Sequence, residues 1–210
     1  MSYKSLFTKE YRRSFVFGLI LLALAMTLQF YASNYATRVS STSVHDIILD
    51  NIPVVNLNLI VVEGALAAIA GSIVLLAFKP RYILFALKVS AIFIATRAVF
   101  ISLTHLGIYP GQVNPDTGFF DRIYTDLGLE AGFFFSGHTG YACLMGLVFW
   151  REKLWRYAYF FLSVVFGVSV LFAHVHYSID VLAAPYITFG VFAMTKYFFP
   201  QDYALTENPL

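Results

Sequence analysis

The sequence predicts an all-α integral membrane protein: a single bundle of six transmembrane helices with both termini on the cytoplasmic side. Three observations lead there. Of 210 residues, 59% are hydrophobic and only 12% charged, with a mean hydropathy of +0.72. Soluble domains carry about 25% charged residues, so this core must be shared with lipid. Six runs are apolar over the roughly 20 residues that a helix needs to cross a bilayer. Finally, Lys and Arg crowd alternate connections, as the positive-inside rule requires.

The first run, 14–33, follows "KEYRR" and precedes "YAS", an outline that a signal peptide shares. Its apolar core exceeds the roughly 7–15 residues of a signal segment, so a retained helix is expected. The second and third runs, 57–78 and 82–103, flank "KPR", a short break carrying Pro80. The fourth, 132–150, contains "FFFSGHTG"; the fifth and sixth, 155–175 and 179–199, flank "HVHYSID". The longest connection, about 104–131, holds "YPGQVNPDTG", which is rich in turn residues. No repeat, low-complexity tract or linker divides the chain, so residues 1–210 are expected to form one domain without an added soluble unit. The single Cys143 allows no internal disulfide; a net charge of +2 is too small to point to nucleic acid, and no nucleic-acid partner is expected.

Orientation follows from the basic residues. Lys4, Lys9, Arg12 and Arg13 precede the first helix, Lys79 and Arg81 join the second to the third, and Arg151, Lys153 and Arg156 join the fourth to the fifth. Lys196 lies near the C-terminus. The other connections hold Arg38 and Arg122 against Asp46, Asp50, Asp116, Asp121, Asp126, Glu130 and Asp180. These acidic connections are expected to face outward.

That topology sorts the intramembrane polar residues by depth. Glu63, Arg97 and His138 each fall about two turns, roughly 10 Å, from the outer ends of helices two, three and four. His176 and Asp180 stand at the outer turn between helices five and six. A lone Glu–Arg pair or a lone His is as readily structural, and Lys88, near the cytoplasmic end of helix three, is expected to snorkel. Together, however, these five residues are expensive in lipid, mutually reachable and complementary. They are expected to form an outer-leaflet site.

The residue types indicate a chemistry. A spacing of four puts His176 and Asp180 on one helical face, where the carboxylate holds one imidazole nitrogen protonated and frees the other as a nucleophile. His138 is a second imidazole, able to protonate a leaving group. Ser136, Gly137 and Thr139 supply hydroxyls and close backbone approach at a helix N-terminus, which favours an anion. Arg97 adds forked donors suited to phosphate oxygens. The combination suggests phosphoryl transfer through a phosphohistidine.

"FFFSGHTG" followed by "LFAHVHYSIDVLAAPYIT" resembles the type 2 phosphatidic acid phosphatase superfamily, most closely its sphingomyelin-synthase-like branch. "VVEGAL" and "TRAVFISLTHLGIYPG" match the branch's Glu and Arg as Glu63 and Arg97. The likeness runs from about residue 46 onward. It implies a six-helix membrane enzyme in which His176 attacks phosphorus, Asp180 orients it and His138 protonates the departing alcohol.

Two departures shape the substrate expectation. The phosphatase branch carries an Arg six residues before the nucleophilic His, where this chain has Val170. The synthase-like branch often has an acid six residues before the first His, where this chain has Gly132 with Glu130 nearby. A single guanidinium at the outer level matches a monoanionic phosphodiester better than a dianion. The acidic loops, with Phe119, Phe120 and Tyr177, suit a cationic headgroup.

The expected activity is therefore transfer of a phospho-headgroup from a phospholipid donor to a lipid alcohol, ceramide or diacylglycerol, or to water. The alternatives are a lipid phosphate phosphatase acting on phosphatidic acid and, further off, an ion-coupled transporter, which should show a polar path through both leaflets. Five histidines are too few and too scattered for a di-iron box, so neither metal nor cofactor is expected. His174 reads as a supporting or packing residue. A chain this short suggests a bacterial inner membrane, with the site facing the periplasm or exterior.

Overall fold

The structure, a computed structural model, describes residues 8–113 and 134–207; these are helical, with no strand among them. Asp116, Asp121, Arg122, Asp126, Glu130 and Gly132, which the sequence places in or beside the long connection, lie outside the described residues, as do Phe119 and Phe120.

Helix α1 (Lys9–Val39) starts at Thr8, whose hydroxyl accepts the Tyr11 N–H at 3.1 Å and satisfies one orphan donor of the first turn. Tyr11, Gly18, Ala25 and Ala32 are buried at intervals of seven, which keeps one mostly small-residue stripe facing one neighbour. That neighbour is α3 (Ile83–Leu103): a Cβ on Gly18 would stand 3.1 Å from Leu87 Cβ. Leu24 and Tyr31 on the opposite side are exposed. The helix outruns the expected 14–33 at both ends. Hydropathy registers only its apolar centre, whereas Asn34 and Thr37 continue the helix by donating side-chain bonds to the carbonyls of Phe30 and Ser33.

The second expected helix, 57–78, is not uniform. Leu59–Gly64 is wound as a π-helix and continues as α2 (Ala65–Phe78). A 3₁₀ turn, Pro80–Tyr82, leads into α3. Helices α4 (Gly137–Val148), α5 (Lys153–Phe172) and α6 (Ser178–Phe198) follow, and α6 continues through Pro185. A short α7 (Pro200–Glu207), absent from the sequence expectation, closes the described chain. Pro200 suits a first helical position because its missing N–H would be unpaired there anyway.

Among the described residues, five helical segments are long and apolar enough to cross a membrane: Lys9–Val39, Leu59–Phe78, Pro80–Leu103, Lys153–Phe172 and Ser178–Phe198. Of the sixth expected span, 132–150, α4 provides 12 residues, about 18 Å; residues 132–133 lie outside the description.

The bundle has two distinct ends. At the basic end, Glu152 pairs with Lys79 at 2.9 Å and Arg81 at 2.6 Å. The Tyr11 hydroxyl donates to the Pro80 carbonyl at 2.9 Å, and Arg151 pairs with Glu207 at 3.2 Å. The described N- and C-terminal segments therefore both gather here. Lys88 does not snorkel. It is buried, ion-paired with Asp202 of α7 and bonded to Ser14 of α1, with its ammonium over the Phe199 ring. A long-range carboxylate, invisible to local sequence reading, makes burial cheaper than reaching for water. Beside it lies an aromatic core in which Tyr82 meets Phe149 at 5.3 Å and Phe85 meets Phe192 at 5.4 Å, both edge to face.

At the opposite end, segments 40–57 and 104–113 cover the turn between α5 and α6. Val55 N–H donates to Phe172 O at 2.8 Å and Val113 N–H to Ala173 O at 3.0 Å. The two segments also join each other, Ser41 N–H donating to His105 O at 3.0 Å. Gly107 is required for that approach, because a Cβ would fall 2.2 Å from the Ser41 carbonyl oxygen.

Candidate active site

Ser136 caps α4. Its hydroxyl accepts the Thr139 N–H at 3.4 Å, and Thr139 Oγ1 lies 3.3 Å from it. The Ser136 N–H donates to the Asp180 carbonyl at 3.1 Å, tying the start of α4 to the start of α6. Two neighbouring helices hold the carbonyls of this first turn: Ser163 of α5 donates to Thr139 O at 2.8 Å, and Thr188 of α6 to Gly140 O at 3.4 Å. Gly140 cannot be larger, since a Cβ would stand 2.8 Å from the Phe93 ring.

This packing fixes His138, in the first turn of α4. Its Nε2 lies 3.1 Å from the Val61 carbonyl of the π segment. A carbonyl only accepts, so Nε2 carries the proton and Nδ1 is the basic nitrogen. Arg97 of α3 is buried alongside: its Nε donates to Phe135 O at 3.3 Å, and a Cβ on Gly137 would stand 3.2 Å from that Nε. The guanidinium thus lies against the backbone at the N-terminus of α4, where helix dipole and arginine both favour an anion.

His176 approaches from the other side, its ring centroid 5.9 Å from that of His138. Its Nδ1 is 3.1 Å from Asp180 Oδ2, which also accepts the Tyr177 N–H at 3.2 Å. The pairing differs from the expected helical face: α6 begins at Ser178, so His176 lies in the turn and reaches over the first turn of the helix. The carboxylate makes Nδ1 the protonated nitrogen and Nε2 the basic one. Asp180 is wholly buried, and its Oδ1 has no hydrogen-bond partner.

Glu63 stands apart from this arrangement. It lies on the π segment, two residues beyond Val61, and its Oε2 is buried without a hydrogen-bond partner. The ion pairs among the described residues do not join it to Arg97. Val170 is fully buried in an apolar cluster with Val61 and Ala173, so no cation reaches the histidines from that position.

Several residues that hold the site carried no local signal in the sequence. Asp46 accepts N–H bonds from Ile48 at 2.9 Å and Leu49 at 3.2 Å, and from Ser178 at the start of α6 at 2.7 Å. Partial burial pushes its carboxyl up, but the bonds from Ser178, Leu49 and Ile48 outweigh that and hold it below the usual range. Tyr109 gives its hydroxyl to Asp50, a bond that raises the phenol to about 12 and lowers the carboxyl. The Tyr177 hydroxyl donates to Gly107 O at 2.8 Å and accepts the Val44 N–H at 3.3 Å. Apart from the local bonds of Ile48 and Leu49 to Asp46, these span between 59 and 133 residues of sequence.

A cavity of about 390 Å³ reaches His138. Met26 of α1, Ile69 and Ile73 of α2 and Ile94 of α3 line its apolar length, with Arg97 and His138 at its polar end.

Residues 132–197 match the family model described as PAP2 superfamily C-terminal. The match contains Ser136, Gly137, His138, Thr139, His176 and Asp180, and leaves Glu63 and Arg97 outside it. It supports the type 2 phosphatidic acid phosphatase superfamily. No curated protein and no solved structure matches the chain significantly.

Proposed function

We propose that this protein is a membrane lipid phosphotransferase, sphingomyelin-synthase-like, that moves a phospho-headgroup from a phospholipid to a lipid alcohol or to water through a phosphohistidine on His176. The observation that carries this reading is the two imidazoles 5.9 Å apart, one oriented by Asp180 and the other standing with Arg97 at the polar end of an apolar cavity.

His176 Nε2 attacks phosphorus from an approach distance of about 3–3.5 Å. Acting as acid, His138 is the imidazolium: Nε2–H stays on the Val61 carbonyl, and the Nδ1 proton, taken up with the anionic donor, passes to the ester oxygen at about 2.6–3.2 Å as the phosphorus–oxygen bond breaks. The 5.9 Å ring separation allows both nitrogens to reach one phosphoryl group. Asp180 stabilises the cationic imidazole, while Arg97 and the N-terminus of α4 stabilise the phosphoryl oxygens. His138 then removes the acceptor's proton, and the phosphoryl group leaves His176.

Charge favours a diester donor. Arg97 is the fixed cation packed against the start of α4, and Val170 keeps the neighbouring wall of α5 uncharged. One guanidinium balances one negative charge. The cavity accommodates part of a lipid chain and accounts for a water-insoluble substrate.

In this reading α4 is the sixth crossing. It begins beside Asp180 at the site end, and its exit leads through Glu152 to Arg81 at the basic end. The basic end, with the described N- and C-terminal segments, faces the cytoplasm, and the histidines face the periplasm or exterior of a bacterial inner membrane.

Incubating the purified enzyme with defined phosphodiester and phosphomonoester lipids, with and without diacylglycerol or ceramide, tests the reaction by mass spectrometry of the products. Headgroup transfer or diester cleavage that is lost in His176→Ala is expected. Turnover of phosphatidic acid alone would move the protein to the phosphatase class.

A further inference from the structure

Three unfavourable features coincide at His174, and none of the interactions described above requires them. Helix α5 ends in a Schellman motif: His174 N–H donates to Leu171 O at 3.0 Å and Val175 N–H to Val170 O at 2.9 Å. The apolar side chains of Val170 and Val175 pack together, as that motif prefers. His174 occupies its left-handed position, with φ 55, where glycine or asparagine is favoured. Its ring is also nearly sealed, 4% exposed, and neither Nδ1 nor Nε2 has a hydrogen-bond partner. A buried polar group without a partner is destabilising, and a glycine here would remove all three features at once.

The neighbours do not account for the ring. Its aromatic contact is Tyr109, edge to face at 5.2 Å, whose hydroxyl is committed to Asp50. His176, two residues on, is held by Asp180 and faces His138. His174 therefore belongs to the same turn as His176, on the side covered by segment 104–113.

We infer that His174 is a further substrate-contacting residue, which hydrogen-bonds the hydroxyl of the acceptor and presents it to the phosphoryl group on His176. The chemistry selects a hydroxyl over an anion. A neutral imidazole offers one donor and one acceptor, matching the one donor and two lone pairs of an alcohol or water. A phosphate oxygen would use the donor alone and already has Arg97 and the start of α4. With neither nitrogen bonded to protein, no tautomer is imposed, and the ring adapts to whichever edge the hydroxyl meets. The strain is retained because its ligand arrives with the substrate.

This inference rests on the phosphotransferase reading, and the test separates the two. The full-length enzyme in phosphodiester-lipid vesicles containing diacylglycerol is compared with His174→Gly and His174→Asn. A nitrophenyl phosphodiester reports the first half-reaction as a burst. In His174→Gly, Tm should be unchanged or higher and the burst should persist, while steady turnover falls at least tenfold. Added imidazole should restore part of that turnover, and His174→Asn, which keeps a donor and an acceptor, should retain most of it. A fall confined to transfer identifies the acceptor as the lipid alcohol, and one confined to hydrolysis identifies it as water. If His174→Gly turns over like the parent, or if both variants lose Tm and burst together, the assignment is overturned. Absence of a burst in the parent enzyme would instead overturn the phosphotransferase reading itself.

Discussion

Both ends of this bundle bury charged side chains, but they do so in opposite ways. At the basic end every such group has an answer: Lys88 has Asp202 and Ser14, and Glu152 has Lys79 and Arg81. At the site end several buried polar atoms are left open. Glu63 Oε2, Asp180 Oδ1 and both nitrogens of His174 have no hydrogen-bond partner. The backbone follows the same division, with the π segment at Leu59–Gly64 and the left-handed His174 both at the site end. Paired burial holds helices in place; unpaired burial is stable only where a ligand completes it. The difference teaches that location in the membrane does not mark function, whereas incomplete satisfaction does.

The sharpest way to break that comparison is to remove a site residue and ask whether the fold notices. His176→Ala should abolish reaction with every substrate, a loss of about 10⁴-fold or more, with Tm little changed. His138→Ala should stop natural lipids, whose alcohols leave badly, yet allow a burst from a nitrophenyl ester of phosphocholine. The variant should then stall as an acid-labile, base-stable phosphohistidine, read by mass spectrometry at position 176. A label at position 138, or a burst in His176→Ala, would reverse the two roles.

The mirror experiment acts on the basic end. Lys88→Ala leaves the Asp202 carboxylate buried without its cation, which costs about 3–5 kcal/mol when one partner of such a pair is removed. Tm should fall sharply while the activity of the folded fraction is kept. Lys88→Met combined with Asp202→Leu should recover most of the loss, because an apolar pair needs no compensation. Equal activity losses in both variants would place this pair within the chemistry.

These contrasts also show what the sequence made legible. Long apolar runs and alternating basic connections located the helices, because lipid forces both patterns on any chain that crosses it. The cluster at the start of α4 was visible because His138, Arg97 and Asp180 are costly in apolar surroundings and therefore conspicuous. Asp46, Tyr109 and Asp202 were not, because each lies in an ordinary polar segment and acquires its role from a partner at least 59 residues away. Lys88 was misread for the same reason: without Asp202, snorkelling is the cheaper solution. The π winding around Glu63 leaves hydropathy unchanged, so an apolar run cannot report it.

A smaller effect is expected from changing the charge balance at the site end. Val170→Arg would bring a second guanidinium toward the turn from the last turns of α5. The ratio of phosphatidic acid to phosphodiester turnover should rise about tenfold, equivalent to about 1.4 kcal/mol of differential stabilisation. The cluster with Val61 and Ala173 must give way, so folded yield should fall as well. An unchanged ratio in protein that still folds would remove charge matching as the source of donor preference.

The smallest effect concerns the rim that carries the turn between α5 and α6. Asp46 accepts the Ser178 N–H at 2.7 Å and so anchors the first residue of α6, two positions before Asp180. Its carboxyl is held below the usual range in the folded protein. A group with a depressed folded pKa contributes stability above its unfolded pKa and loses that contribution as pH falls through the folded value. The anchor is therefore present at neutral pH and released only in acid, below about pH 4. Asp46→Asn keeps an acceptor oxygen but removes the charge, as protonation does. At neutral pH it should lower stability by about 1 kcal/mol, the usual value of a capping bond, and the difference from the parent should vanish in acid. Hydrogen exchange at Ser178 reads the anchor directly: faster exchange in Asp46→Asn at neutral pH, and matched rates in acid. If exchange there ignores the substitution, the Asp46 bond does not hold the turn, and the rigidity of His176 must come from Asp180 and Tyr177 alone.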